Sequence, residues 1–153
     1  MQKFLTILRS IGAVLAGYVV LAVLIIVLLM AALTIVPAWG VGISTAYITV
    51  NILLSIFSSA CGGWVAAWLA PGQRFQHGLA LGLVTLGLGI IYAMNPQAEA
   101  GMPQPPEWYR YLLAALALPS VLGGSLLYMR FKSSTRTTRA AARRQRRSRG
   151  GSA

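Results

Sequence analysis

Polar positions in this chain come in clumps, and four long apolar runs separate them. The first run covers 11–36 and closes at Pro37 with the loop PAWGVGIS. The second covers 45–70 and closes at Pro71-Gly72, and the third covers 77–94 and closes at Asn95-Pro96. The fourth covers 108–129, opened by Pro105-Pro106 and closed by Arg130. An amphipathic soluble helix shows a polar face, and none of these runs has one. Each is near the ~20 residues that cross a ~30 Å hydrocarbon core at 1.5 Å per residue. The pattern predicts an all-α membrane protein. Its four-transmembrane-helix bundle occupies residues 1–132, and a disordered basic C-terminal tail occupies 133–153.

Composition sharpens that reading. Of the 153 residues, 57% are hydrophobic and 10% charged, against about a quarter charged in a soluble domain. Nine of the fifteen charged residues lie between Arg130 and Arg149, so Ser10 to Met129 holds only Arg74, Glu99, Glu107 and Arg110. Such spacing cannot furnish a soluble surface. The N-terminal MQKFLTILRS and the run behind it resemble a secretory leader. The run is 26 residues, however, well past the ~7–15 of a leader's apolar core, so it reads as an uncleaved signal-anchor helix. The single cysteine, Cys61, excludes an internal disulfide.

Charge also orients the spans. Lys3 and Arg9 precede the first span, Arg74 lies between the second and third, and nine basic residues follow the fourth. The other side holds only Arg110, together with both acids. This twelve-to-one ratio predicts that both termini are cytoplasmic. Trp39, Trp108, Tyr109 and Tyr111 then fall at the outer interface, where amphipathic rings prefer to sit.

Helices in lipid gain no hydrophobic drive to associate, so small residues that let backbones approach must supply the contact. In HGLALGLVTLGLG, the residues Gly78, Gly82, Thr85 and Gly89 fall within about 60° of one another at 100° per residue. The second span carries a comparable stripe of Asn51, Ser55, Ser58, Ser59, Gly62 and Ala66, with Gly63 beside it. Trp64 and Trp68 lie roughly opposite, facing lipid or the inner interface. Such stripes line permeation paths in some proteins, but helix packing is their ordinary use. Asn51, the most polar group inside a span, is expected to hydrogen-bond between helices. Gly123 and Gly124 join the expected packing set through a short echo. SACGG (59–63) and SVLGG (120–124) share Ser-x-x-Gly-Gly at an offset of 61 residues. The offset suits two hairpins related by a parallel repeat. Chance supplies five such positions readily in Gly- and Ala-rich helices, and the sequence favours chance.

Chemistry-bearing residues are sparse. The only histidine, His77, sits at the cytoplasmic start of the third span beside Arg74 and Gln76 and reads as interfacial. One His, one Cys and two loop acids build neither a metal site nor a general acid–base pair. Neither a cofactor nor a catalytic residue is expected, and a proton-coupled exporter would need an acid inside the membrane.

The stretch GGWVAAWLAPGQRFQHGLALG (62–82), then PPEWYRYLLAALALP and a final Gly-Gly before the basic end, resembles a group of small bacterial four-span membrane proteins of unknown function. The residues that carry the likeness are Gly62, Gly63, Ala66, Ala67, Ala70, Pro71, His77, Trp108, Tyr109, Gly123 and Gly124. It covers the second to fourth spans and not the tail. It implies the four-helix architecture and a bacterial inner-membrane home, and it carries no activity.

The tail holds Arg136, Arg139, Arg143, Arg144, Arg146, Arg147 and Arg149. It has no aromatic residue to stack on bases and only one Arg-Gly-Gly, so nucleic acid is disfavoured as a partner. These arginines are expected to contact anionic lipid headgroups. The reading is a non-enzymatic membrane protein with an interaction or accessory role, its partners being the bilayer and a further copy or another membrane protein. The alternative is an oligomeric channel, holin-like pore or small transporter.

Overall fold

The computed structural model describes the backbone of residues 2–40, 43–95 and 105–150, and the side chains of 5, 7–38, 43–95 and 105–134. Among these the chain is all-helical. Helix α1 spans Gln2–Ile35, a short 3-10 turn Pro37–Gly40, α2 Thr45–Leu69, α3 Arg74–Met94 and α4 Glu107–Gly150. The apolar stretches within them are 29, 25, 21 and 28 residues long. Even the shortest is about 31 Å at 1.5 Å per residue, enough to cross a bilayer.

The boundaries follow local chemistry. Helix α1 stops before Pro37 and α2 before Pro71, because the residue preceding proline is pushed out of the helical region. Ala70 is accordingly extended, at φ −60° and ψ 127°. At the start of α2 the Ser44 hydroxyl accepts from the Tyr47 backbone N–H at 3.1 Å, satisfying one of the free donors of the first turn. Asn95 closes α3, its side-chain amide donating to the Ile91 carbonyl at 2.8 Å. Pro119 sits inside α4 on its exposed face and removes one helical donor.

Four spans place both termini at one end. Helix α2 packs on α1 and α4, and α3 packs mainly on α4, so the bundle runs α1, α2, α4, α3 around its perimeter. Closure between α3 and α1 is the loosest of the neighbouring contacts. In its most apolar window α1 is only 11% buried, against 33% for α2. The first helix is therefore peripheral and the second central. Ala66, Leu81 and Val121, one each from α2, α3 and α4, are fully buried, and Val14, Tyr18 and Leu21 of α1 pack against them.

The backbone of α4 runs on past the fourth apolar stretch to Gly150. Extending an existing helix needs no new nucleus, and Ala140–Ala142 with the arginines are good helix formers. The seven tail arginines proposed to touch lipid lie outside the described side chains.

Candidate functional site: the glycine seam and a groove beside it

The small residues of the two predicted stripes meet helices, and the geometry differs at each. A β-carbon on Gly78 would strike Ser125, one on Gly82 would lie 2.7 Å from Leu118 Cδ1, and one on Gly89 would lie 3.0 Å from Ala114 Cβ. All three partners belong to α4. Thr85 is buried in the same line and its hydroxyl bonds back to carbonyls of Leu81 and Gly82 at 3.0 Å. On α2, Gly62 faces Gly17 of α1, each within 2.8 Å of where the other's carbonyl oxygen would meet an added carbon. Gly63 lies against the backbone of Val121, and Gly124 against the backbone of Ala60. Gly123 points into open space and belongs to no seam, because a helix presents adjacent residues about 100° apart.

Asn51 is buried, but both its hydrogen bonds run along α2. Its amide donates to the Tyr47 hydroxyl at 3.4 Å, and its carbonyl accepts from the Ser55 hydroxyl at 3.3 Å. The expected bond between helices is instead made by Ser125, whose hydroxyl donates to the Gly63 carbonyl at 2.9 Å. Ser59 is buried, and Ser58 is fully buried with no partner for its hydroxyl. Ser125 and Gly17 were missed from the sequence. The signal for Gly17 was present: Ala13 and Gly17 repeat the spacing of Gly78 and Gly82, and both are buried.

Trp64 does not face lipid alone. Its ring meets those of Tyr128 and Phe131 on α4, each at 5.5 Å between centroids. Tyr128 also carries two cations, with Arg74 Cζ 5.6 Å and Lys132 Nζ 5.9 Å from its ring centre. Each such contact contributes about 0.5–1 kcal/mol at an exposed site. Trp68, Trp108 and Tyr111 are exposed, whereas Tyr109 and Arg110 are buried at the end of the bundle opposite Tyr128.

The loose closure between α1 and α3 leaves a groove of about 810 Å³. Its apolar wall is built from Ile11, Leu15 and Tyr18 of α1 and Ala80, Val84 and Leu88 of α3. Its mouth, at the end carrying both termini, is polar: Ser10, Gln73, Gln76 and His77. The ring of His77 is oriented by its own helix, with Nδ1 donating to the Gln73 carbonyl at 2.9 Å. Nε2 is then the atom left for another group, and it is buried without a partner. Gln73 precedes α3 without a capping side-chain bond, and no acid lies in that helix's first turn. The Gln76 and His77 N–H groups donate to the Gln73 carbonyl at 3.0 and 3.4 Å, and the mouth lies at the positive end of the helix dipole.

Among the described residues no three of His, Cys, Asp and Glu come together, and Cys61 is a half-buried free thiol. Comparison with protein-family models, curated proteins and solved structures found nothing that matches this chain.

Proposed function

We propose that this chain is a non-catalytic, multi-pass protein of the bacterial inner membrane that works by interaction, as a partner or accessory within the bilayer. Both termini, and with them the arginine-rich segment, are on the cytoplasmic side. The observation that carries the reading is the closed centre of the bundle. Gly17 against Gly62, Gly63 against Val121 and Gly124 against Ala60 bring three helices into backbone contact, and Ala66, Leu81 and Val121 fill the level between them. Close packing of this kind supports a scaffold. The bacterial location rests on the resemblance in residues 62–124, and the orientation rests on the placement of lysine and arginine.

Liposomes containing the purified protein test this. Their ion and solute leakage should equal that of protein-free liposomes at every protein density tried. Leakage that rises with protein density would replace the reading with an oligomeric pore.

A further inference from the structure

We propose that the groove between α1 and α3 binds one anionic phospholipid from the leaflet at the end carrying both termini. One acyl chain lies along the groove, and the phosphate sits at the N-terminus of α3. This goes beyond an interaction role in general, and could hold or fail independently of it.

Length is the first argument. From His77 at the mouth to Leu88 at the far end, the wall extends eleven residues along α3, about 16 Å at 1.5 Å per residue. That is roughly half of a ~30 Å hydrocarbon core, the depth of one leaflet. A partner helix would cross both leaflets and would want small residues for close approach. The wall instead presents branched and aromatic side chains and stops midway. Ile11, Leu15, Val84 and Leu88 are each about half exposed, so the groove opens sideways to lipid rather than into the core.

Charge is the second argument. At the mouth Gln76 and His77 donate their N–H groups to the Gln73 carbonyl. The first turn of α3, which holds no acid, therefore turns the positive end of its dipole and the N–H groups ahead of Gln76 toward an anion. His77 adds a ring nitrogen, Nε2, that is buried without a partner. Exposed Arg9 lies one residue before the groove's Ser10, whereas the Arg74 guanidinium is turned to the Tyr128 ring of α4 and adds only its field at this end. The only acid among the described residues, Glu107, lies at the opposite end of the bundle. A phosphate is complementary to this end and a cation is not.

The test uses the full chain, stripped of lipid in a mild detergent and titrated with phosphatidylglycerol or phosphatidylcholine. Native mass spectrometry in about 0.5 M ammonium acetate reads binding where exposed charges on the basic segment are screened. One phosphatidylglycerol should be retained per chain, at least tenfold more tightly than phosphatidylcholine. Val84→Trp, which fills the groove, should weaken it by roughly tenfold or more, the equivalent of uncovering two methylenes. Leu83→Trp, equally exposed but off the groove, should leave binding unchanged. Gln76→Glu, an exposed change at the mouth, should abolish the preference for the anionic lipid while thermal stability is kept. This second variant decides the matter should Val84→Trp fail to fold. Equal retention of the two lipids, an unaffected Gln76→Glu, or a dimer that Val84→Trp dissociates would each overturn the proposal, the last by making a second copy the occupant.

Discussion

Gly63 on α2 and Gly124 on α4, 61 residues apart in the chain, make one contact in two directions. The first lies against the backbone of Val121 and the second against the backbone of Ala60, and Val121 is itself 61 residues after Ala60. Gly17 and Gly78 share the same offset, and each faces the next helix of its own hairpin, at Gly62 and Ser125 respectively. This reciprocity is what two parallel helices make around an axis along the membrane normal, with α1 and α3 carried on the outside. The match is incomplete, since α3 also reaches α2 whereas α1 hardly meets α4.

The reciprocal contact predicts paired mutational costs. Gly63→Ala and Gly124→Ala each drive a carbon into main chain, which cannot move aside without shifting a helix. Both should lose about 1–3 kcal/mol, by similar amounts. Gly123→Ala adds its carbon to open space and should be neutral, or gain up to ~1 kcal/mol from helix propensity. Unfolding in detergent compares them, and a loss at Gly123 equal to that at Gly124 would mean that the seam is elsewhere.

At Gly82 the obstructing atom is the end of the Leu118 side chain, so the added carbon meets something that can rotate. Gly82→Ala should therefore cost less than Gly63→Ala. Gly82→Leu exceeds what Leu118 can yield and should separate α3 from α4, while Gly87→Leu meets nothing nearby and should be mild. Equal thermal destabilisation by the two leucines would show that this stripe is not the contact between α3 and α4.

Two buried serines should respond in opposite directions to the same change. Ser125→Ala deletes the hydroxyl that joins α4 to the Gly63 carbonyl, and such bonds inside membranes average about 0.6 kcal/mol. Ser58→Ala removes a buried hydroxyl that has no partner, so it should be neutral or stabilising. Detergent unfolding midpoints for both variants decide this, and a loss at Ser58 matching that at Ser125 would point to an acceptor for Ser58.

The spans, their ends and the stripe on α3 were legible in the sequence, because proline boundaries and glycine spacing act locally. The partner of each stripe was not. Spacing says that Gly78 and Gly82 share a face but cannot say that the face belongs to α4. Asn51 drew attention as the most polar group inside a span, yet its bonds are local, to Tyr47 and Ser55 one turn away on either side. The Ser-x-x-Gly-Gly echo was visible and discounted, because only packing distinguishes a reciprocal contact from chance repetition. The groove arises from the loose fit of α1 against α3, a property of no single helix, and nothing in the one-dimensional pattern announces it.

Four membrane-long helices require that the chain end where it begins. Reporters fused after Ala153 and inserted at Gly101, between α3 and α4, should therefore read opposite sides, with Ala153 cytoplasmic. The same side for both would contradict the four-span path itself, and an external Ala153 would contradict only the charge-based orientation.

The arginine-rich segment begins within a few residues of the bilayer, and its chemistry makes a testable distinction between surface attraction and insertion. Ser133, Ser134, Thr135, Thr137 and Thr138 supply no apolar stripe, so a helical backbone there does not make a membrane-inserting helix. Each arginine near an anionic leaflet gains roughly 1 kcal/mol, and seven of them could hold the segment against the surface. Four spans already anchor the protein, so this attraction adds nothing to membrane residence and acts on the segment's position alone. A peptide of residues 130–153 should bind vesicles rich in phosphatidylglycerol, ignore phosphatidylcholine vesicles, and dissociate as salt rises past physiological strength. Binding to phosphatidylcholine that survives high salt would show that apolar insertion, and not charge, governs the segment.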